Sequence, residues 1–308
     1  MHIGYGGARL FQGFVAGVAI MTVLRLRNPL FAPGDSARKA DKALGSAADA
    51  VILDLEDSVA PGQKAAAREM VAGLLPGLSR AGVIVRVNPR GTPWYLADLS
   101  AVVPGRPAAI MLPKCTGLQD MVALDHHLEA LEVAAGLEPG GIGVLAIVTE
   151  TAASLLAMDY RGAPLRLRAL CFGAEDFSAD LGIAPRVGSV FNAAAAAARS
   201  AVLISAAAAG VAAIDTPWPD PRDPAGLAAE AATAAQDGFA GKLCIHPDQI
   251  LPVAEAFTPG DEQIRWARAV QAGFAADPGA GVFLLDGKMI DRPHLKLAER
   301  ILGAAGGG

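Results

Sequence analysis

The heptapeptide VILDLED, residues 51–57, is an apolar run that ends in three acids. Runs of this kind, apolar throughout rather than alternating, are typical of parallel strands that are buried on both faces of a sheet. The acids follow where such a strand would end. Because charge is costly to bury inside a sheet, this position predicts a polar site at the edge where the strand stops.

The same pattern of an apolar run that ends in a polar or charged residue recurs along the chain. After LFAP at 30–33 and the heptapeptide, it is found in VIVRVN (83–88), AIMLPK (109–114), GVLAIVTE (143–150), the run at 167–172 before Glu175 and Asp176, VAAID (211–215) and KLCIHP (242–247). Stretches rich in Ala, Leu, Glu and Arg separate these runs and are long enough for helices. The order is therefore strand, helix, strand, helix, with about eight strands.

This alternation predicts an α/β fold, namely a (β/α)8 TIM barrel with a short C-terminal helical lid. The barrel is assigned to residues 22–250, the lid to 251–308, and residues 1–21 to an N-terminal extension that we expect to be disordered. A doubly wound open sheet is the alternative, but that fold would carry a Gly-rich dinucleotide fingerprint after its first strand, and the sequence has none there. Catalytic groups of TIM barrels collect at the carboxyl ends of the strands, which is where the charges lie.

The composition limits the classes of partner. The chain has 308 residues, 53% of them hydrophobic, with a net charge of −5 and an isoelectric point near 5.6. Such a chain offers no basic surface for nucleic acid. The apolar stretch near the N-terminus is about 11 residues long, against the ~20 that a membrane span needs, so no membrane association is expected. The three cysteines have no metal-binding spacing and favour a cytoplasmic protein.

Two acids end consecutive predicted strands. Glu150 and Asp176 should lie side by side at the barrel mouth, and paired carboxylates suit Mg²⁺. The alternative is that each is a helix N-cap or a solvated acid. Glu175 could take the place of Asp176 as a ligand.

Arg86 stands in a run that is otherwise Val, Ile and Asn, so its guanidinium must find an anion. It could hold a substrate carboxylate or stabilise an enolate oxygen. It could also form a structural ion pair with Asp54 or Glu56 on the neighbouring strand, and the two interpretations are compatible.

Three further segments allow a functional and a structural interpretation. Arg38 and Lys39 lie in the first turns of a helix that follows a Pro-Gly turn, which suits phosphate, although an ordinary capped helix has the same pattern. Asp291 could be an acid or base on the lid, or the N-cap of the helix that Pro293 opens. His246 ends a strand, and the residues alone assign it no chemistry.

Taken in order, eight segments resemble the citrate lyase β-subunit-like proteins of the HpcH/HpaI aldolase superfamily. They are LFAPGDSARKADKAL (30–44), DAVILDLEDSVAPGQKAAAR (49–68), VRVNPRGTPW (85–94), LPK (112–114), ETAASLL (150–156), FGAEDFSADLG (172–182), GKLCIHPDQI (241–250) and GKMID (287–291). The resemblance implies a Mg²⁺-dependent carbon-carbon lyase on a TIM barrel, usually a homotrimer or hexamer.

The resemblance also implies a role for individual residues. By this resemblance, Glu150 and Asp176 are expected to bind the metal, Arg86 to steady the thioester oxygen, and Glu56 to support Arg86. Contacts with coenzyme A are expected at Phe31, Arg38 and Lys39, and His246 is expected along the same cleft. Asp291 is expected to be a catalytic aspartate that is supplied to a neighbouring subunit.

The implied substrate is a 3-hydroxyacyl-coenzyme A of the malyl, methylmalyl or citramalyl type, which a retro-Claisen reaction cleaves into an acyl-coenzyme A and a 2-oxo acid. The GKMID tail favours free coenzyme A esters over a carrier-bound thioester. Two alternatives remain, namely a malyl-coenzyme A thioesterase and a citrate lyase β subunit that acts on an acyl-carrier-protein thioester.

Overall fold

Twelve strands and eleven α-helices make up the part of the chain that the computed structural model describes, which is residues 24–78, 82–188 and 190–305. The strands are β1 (Leu30–Pro33), β2 (Val51–Asp54), β3 (Val83–Arg86), β4 (Ala109–Leu112), β5 (Gly143–Ile147), β6 (Leu167–Cys171), β7 (Arg186–Val187), β8 (Val190–Phe191), β9 (Ala212–Asp215), β10 (Gly241–Lys242), β11 (Val282–Leu285) and β12 (Lys288–Asp291).

A helix follows each strand up to β10 except β7, which leads directly into β8, and two helices flank the last two strands. They are α1 (Ala37–Leu44), α2 (Lys64–Leu74), α3 (Tyr95–Val102), α4 (Leu118–Ala134), α5 (Ala152–Leu156), α6 (Ala174–Asp180), α7 (Ala193–Ala209), α8 (Pro224–Asp237), α9 (Ile250–Ala256), α10 (Asp261–Ala276) and α11 (Arg292–Ala305). Of the helices formed by residues 24–78, 82–188 and 190–305, none combines the length and apolar character needed to span a bilayer.

Eight strands form one parallel sheet in the order β1-β2-β3-β4-β5-β6-β9-β10. The sheet curls until its last strand meets its first: the Lys242 amide donates to the Arg27 carbonyl at 2.8 Å, and the Phe31 amide donates to the Cys244 carbonyl at 2.9 Å. All eight strands start within one residue of the position that the sequence predicts. The curled parallel sheet of eight strands with helices between them is the architecture of TIM-barrel-like proteins.

Both faces of the sheet are buried, which explains why the strands are apolar throughout. Side chains on one face, including Ile52, Ile84 and Met111, pack together inside the curl. Their strand neighbours, such as Leu53 and Val85, pack outward against the helices. The carboxyl ends of all eight strands therefore gather at one end of the curl, and the residues that follow each strand are held within reach of one another.

The C-terminal segment has a small core of its own. Strands β11 and β12 form an antiparallel hairpin whose two-residue turn, Asp286-Gly287, has positive φ at both positions, 50° and 76°. An Asp-Gly pair is the sequence signal for such a turn. The hairpin packs with α10 and α11 through Val270, Phe274 and Ile290. The segment thus contains strands as well as the expected helices, and its action as a lid stays a prediction.

The expected N-terminal extension, residues 1–21, and the last three residues of the assigned lid, 306–308, lie outside the described part of the chain.

Candidate active site

A cavity of about 430 Å³ opens at the carboxyl ends of the parallel strands. This is the end of a TIM-barrel fold where catalytic groups collect. Its lining includes Phe31, Asp54, Asp57, Arg86, Glu150, Gly173, Glu175, Asp176 and Thr216. The six charged residues among them come from four strand ends, those of β2, β3, β5 and β6, so the cavity is where these candidate residues meet.

Arg86 forms a bidentate ion pair with Asp54, its register partner on β2. The distances are 2.7 Å from Nε to Oδ1 and 2.8 Å from Nη2 to Oδ2. Burial acts to lower the pKa of Arg86, but the hydrogen bonds and charge of Asp54 outweigh it and raise that pKa above the usual value. Burial acts to raise the pKa of Asp54, but the guanidinium of Arg86 outweighs it and holds that pKa below its usual range. The predicted ion pair is confirmed, and Arg86 is a permanent cation at the cavity wall.

Glu56 and Phe31 complete the surroundings of that guanidinium. The Glu56 carboxylate oxygen Oε2 lies 2.9 Å from Arg86 Nη1, and the Phe31 ring centre lies 4.8 Å from the guanidinium carbon. The turn that carries Glu56 is fixed by Lys64, whose buried ammonium donates to the carbonyls of Leu55 at 2.9 Å and Glu56 at 2.7 Å. Burial raises the pKa of Glu56 against the opposing effect of Arg86.

Lys114 is a functional candidate to which the sequence interpretation gave no role. Its ammonium Nζ lies 2.5 Å from Glu56 Oε1, 3.7 Å from Asp57 Oδ1, 3.9 Å from Asp176 Oδ1 and 4.0 Å from Glu150 Oε1. The signal was in the sequence, because Lys114 ends the run AIMLPK in the same way as the acids end theirs.

Glu150 is buried just after β5, and its Oε2 accepts a short hydrogen bond from the Lys114 backbone amide. Burial raises the pKa of Glu150 to about 8, and the nearby charges of Glu56 and Asp176 act in the same direction. Gly173 passes so close that a Cβ built there would lie 2.9 Å from the Glu150 side chain. The carboxyl is therefore held in one place by a backbone that only glycine allows.

Asp176 and Glu175 both lie in the first turn of α6, after β6, and the structure separates them. The Asp176 carboxylate lies 3.9 Å from the Lys114 ammonium, and the Glu150 carboxyl lies 4.0 Å from the same ammonium. Glu175 instead pairs with Arg186, 3.0 Å from Nη1 to Oε1. The acids predicted to lie side by side are thus brought together around one ammonium, and Glu175 has another partner.

This set of oxygen donors fits Mg²⁺. Carboxylate oxygens of Glu56, Asp57 and Glu150 lie within 4.8 Å of one another, and Asp176 approaches the same ammonium. Hard carboxylate oxygens with room for water and substrate are what Mg²⁺ prefers. Glu56 Oε2 is buried and has no hydrogen-bond partner of good geometry, although it is paired with Arg86 by charge. The assignment of Glu150 and Asp176 as the ligands stays a prediction.

The residues proposed for coenzyme A lie around the rim. Phe31 lines the cavity, whereas Arg38 and Lys39 are exposed in the first turn of α1, just beyond β1. His246 follows Ile245, which lines the cavity, and its Nδ1 accepts a hydrogen bond from the Asp248 amide at 3.3 Å. The structure therefore brings Phe31 to the site and leaves the three polar residues outside the cavity wall.

Asp291 ends β12 and does not line the cavity among the residues that the structure describes. Its Oδ1 lies 2.5 Å from His294 Nδ1, in the first turn of α11. Further along that helix, Arg300 Nη2 donates to the carbonyl of Gly238, which precedes β10. That contact is at the amino ends of the strands, so α11 touches the barrel at the end opposite the cavity.

A larger cavity, about 880 Å³, opens at the amino ends of the strands. Its buried acid Glu132 is already held by Arg166, at 3.1 Å, and by the amides of Gly140 and Ile142, each at 2.8 Å. These contacts satisfy the carboxylate within the protein, and the catalytic groups of TIM barrels collect at the opposite end of the fold. The smaller cavity is therefore the candidate active site.

Residues 27–247 match the family described as HpcH/HpaI aldolase/citrate lyase. The chain belongs to this family. Among its relatives, citrate lyase subunit beta of Escherichia coli is 36% identical over 91% of this chain and 93% of its own length. Mitochondrial citramalyl-CoA lyase of Rattus norvegicus is 34% identical over 91% of this chain and 86% of its own.

A solved structure has the same fold. CitE from Mycobacterium tuberculosis, in complex with magnesium, acetoacetate and coenzyme A, matches with a TM-score of 0.73 and 34% identity. The match covers 92% of this chain and 98% of that one. The resemblance that the eight sequence segments indicated is confirmed, as is the expectation of a TIM-barrel-like α/β fold.

Replacing Glu150 with Gln is expected to stabilise the metal-free protein, by an amount that grows with pH. The folded chain keeps this carboxyl protonated up to about pH 8, whereas an unperturbed glutamate ionises near pH 4.5. Stability is therefore fully present below about pH 4.5 and is lost as the pH rises through about 8. Glutamine does not ionise and avoids the loss. Chemical denaturation in EDTA should give a gain on the order of 4 kcal/mol at pH 8 and less than about 0.5 kcal/mol at pH 4.5.

Glu129→Gln is the matched control, because Glu129 is exposed on α4 and the substitution changes the charge equally. Its effect should stay within about 0.5 kcal/mol at both pH values. A Glu150→Gln protein that is less stable than wild type at pH 8 would contradict this account of the buried carboxyl.

Proposed function

We propose that the chain is a Mg²⁺-dependent carbon-carbon lyase that cleaves a 3-hydroxyacyl-coenzyme A into an acyl-coenzyme A and a 2-oxo acid. The observation that carries the proposal is the convergence of Glu150, Asp176 and the permanently charged Arg86 on one cavity at the carboxyl ends of the strands. The relatives add weight, since one is named a citramalyl-CoA lyase and another is a structure with magnesium, acetoacetate and coenzyme A.

Glu150 and Asp176 would hold the metal from two neighbouring strand ends. When bound, Mg²⁺ supplies Lewis-acid stabilisation to the oxygens of the 2-oxo acid part of the substrate. Burial of Glu150 limits competing water at that ligand, and the Lys114 backbone amide fixes the orientation of its carboxylate. These residues would therefore place the hydroxyl-bearing carbon of the substrate at the cavity end of β5 and β6.

Arg86 would stabilise the negative charge that develops on the thioester oxygen when the carbon-carbon bond breaks. Its pair with Asp54 uses two of the five N–H donors of a guanidinium, so donors are left for a substrate oxygen. The same pair prevents the side chain from rotating away. Glu56 supports it from the other side, and Phe31 stacks at the edge where coenzyme A would enter.

The reaction is a retro-Claisen cleavage. The substrate hydroxyl loses its proton, the adjacent carbon-carbon bond breaks, and its electron pair forms the thioester enolate while the hydroxyl carbon becomes the carbonyl of the 2-oxo acid. A proton then returns to the enolate carbon to give the acyl-coenzyme A. Asp291 is the proposed donor of that proton, and Arg38, Lys39 and His246 are proposed to contact coenzyme A at the rim.

We propose that Asp291 reaches the cavity of a neighbouring subunit in a homotrimer or hexamer. Within its own chain the hairpin lies with α11, which touches the opposite end of the barrel. The outer face of the hairpin carries Val282, Leu284 and Met289, which are large apolar residues exposed by 51%, 72% and 63%. Because an apolar face of this kind favours a protein contact, a second copy is the proposed partner that covers it.

The relative from Escherichia coli favours one alternative, a citrate lyase β subunit acting on a carrier-bound thioester. Residues 1–250 are 250 of the 308, or about four fifths, so a match over 91% of the chain must include part of the C-terminal segment. Whether the GKMID tail at 287–291 favours free coenzyme A esters stays a prediction. A thioesterase remains the other alternative, because it would use the same cavity.

The proposed reaction is tested by incubating the purified protein with Mg²⁺ and malyl-, methylmalyl- or citramalyl-coenzyme A, and separating the products by chromatography. We expect an acyl-coenzyme A with glyoxylate or pyruvate, and no reaction in EDTA. Glu150→Ala and Asp176→Ala should each lower turnover by about 100-fold or more, because losing even a group that only supports a metal ligand typically costs about 10- to 100-fold. Free coenzyme A with an intact hydroxy acid would identify a thioesterase, and no turnover would favour the carrier-bound subunit.

Shared sites are tested by mixing two variants, Glu150→Ala and Asp291→Asn, each of which should be nearly inactive alone. If every site takes Glu150 from one subunit and Asp291 from another, an exchanged 1:1 mixture should restore roughly a quarter of the sites. The matched control replaces the Asp291→Asn partner with the double variant, which cannot supply an intact Glu150. No recovery, with subunit exchange verified by differently sized tags, would show that the site is not shared.

A further inference from the structure

Lys114 is one cation among four carboxylates. Its ammonium contacts Glu56 most closely, at 2.5 Å, and the three remaining acids lie between 3.7 and 4.0 Å away. These acids come from three strand ends, those of β2, β5 and β6. The ammonium is therefore at the centre of the donor set that fits a divalent cation.

The backbone of Lys114 is built to hold the side chain there. Its φ is 50°, in the left-handed region that non-glycine residues seldom adopt and that costs on the order of 1 kcal/mol. The amide in this conformation donates to Glu150, and the next amide, that of Cys115, donates to the Ile147 carbonyl at 3.1 Å on β5. The strained residue is thus fixed to the strand that carries the buried acid.

The other cation of the cavity is not able to play the same part. Arg86 is bound to Asp54 by two hydrogen bonds and is almost fully buried, whereas the Lys114 side chain is about one third exposed. A lysine ammonium is a point charge on a flexible four-carbon stem, so it can leave a site that a bidentate guanidinium cannot. Lys114 is the cation that can move when another takes its place.

We propose that Lys114 is a resident counter-cation, which holds the carboxylates together in the metal-free protein and competes with Mg²⁺ for them, so that it sets the affinity of the site for the metal. The inference rests on the metal site of the proposed function. Without the ammonium, those of the four carboxyl groups that are ionised would repel one another in a partly buried site. With it, an incoming divalent ion must displace a charge of the same sign.

The competition is tested by titrating Mg²⁺ into EDTA-stripped full-length protein by isothermal titration calorimetry, without any substrate. Lys114→Met and Lys114→Gln should lower the Kd for Mg²⁺ by about tenfold, because a like charge is removed from the ion's position. Both should melt at a lower temperature than wild type in EDTA and at a similar or higher temperature in excess Mg²⁺. Lys114→Arg keeps the charge and offers a guanidinium that leaves carboxylates less readily, so its Kd should be no lower than that of wild type.

Lys296→Met is the matched control, since Lys296 is exposed on α11 and its substitution changes the net charge equally. Its Kd should equal that of wild type. An unchanged or higher Kd in both neutral Lys114 variants, with native circular dichroism, would overturn the inference and leave the lyase proposal standing. A wild-type protein that binds no Mg²⁺ would overturn both.

Discussion

Charge compensation at the carboxyl ends of the strands is the constraint on which this structure depends. A curled parallel sheet brings the residues that follow its strands into one small region, and in this chain three of the strand ends, those of β2, β5 and β6, carry acids. Carboxylates so close together in a partly buried place are tolerated only with cations between them. Arg86 is the fixed cation, bound by two hydrogen bonds to Asp54, its register partner on the neighbouring strand β2. Lys114 is the movable one, with Glu56 as its closest partner.

The same arrangement links stability to function. Glu150 is buried where burial raises its pKa to about 8, so the metal-free fold holds a carboxyl that is poorly stabilised as an anion. A bound divalent ion would instead stabilise the ionised form of Glu150, because the carboxylate would then have a strong partner of opposite charge. Gly173 shows how tightly the backbone is arranged around this group, since there is no space for a Cβ beside the Glu150 side chain. We infer that the barrel keeps a destabilised acid in place because the proposed reaction needs a metal ligand there.

Much of the fold follows from the sequence, because buried parallel strands are recognisable as apolar runs and their order predicts a curled sheet. The ion pair of Arg86 was foreseeable for the same reason, since an arginine in such a run must have an anion. The choice between Glu175 and Asp176 could not be predicted, because adjacent residues on a helix turn differ only in the direction in which their side chains point. The partner that pairs with Glu175, Arg186, lies outside that helix. The role of Lys114 was also missed, although it ends its strand as the acids do, because sequence gives no distances between strand ends.

The most direct measurement is a crystal structure of the full-length protein with Mg²⁺ and pyruvate. The account predicts an ion within about 2.1 Å of carboxylate oxygens of both Glu150 and Asp176. It further predicts the oxo acid on the side facing Arg86 and a Lys114 ammonium moved away from its position among the acids. A metal ion bound elsewhere, or one held by Glu56 and Asp57 with Lys114 unmoved, would contradict the central claim about how this site is built.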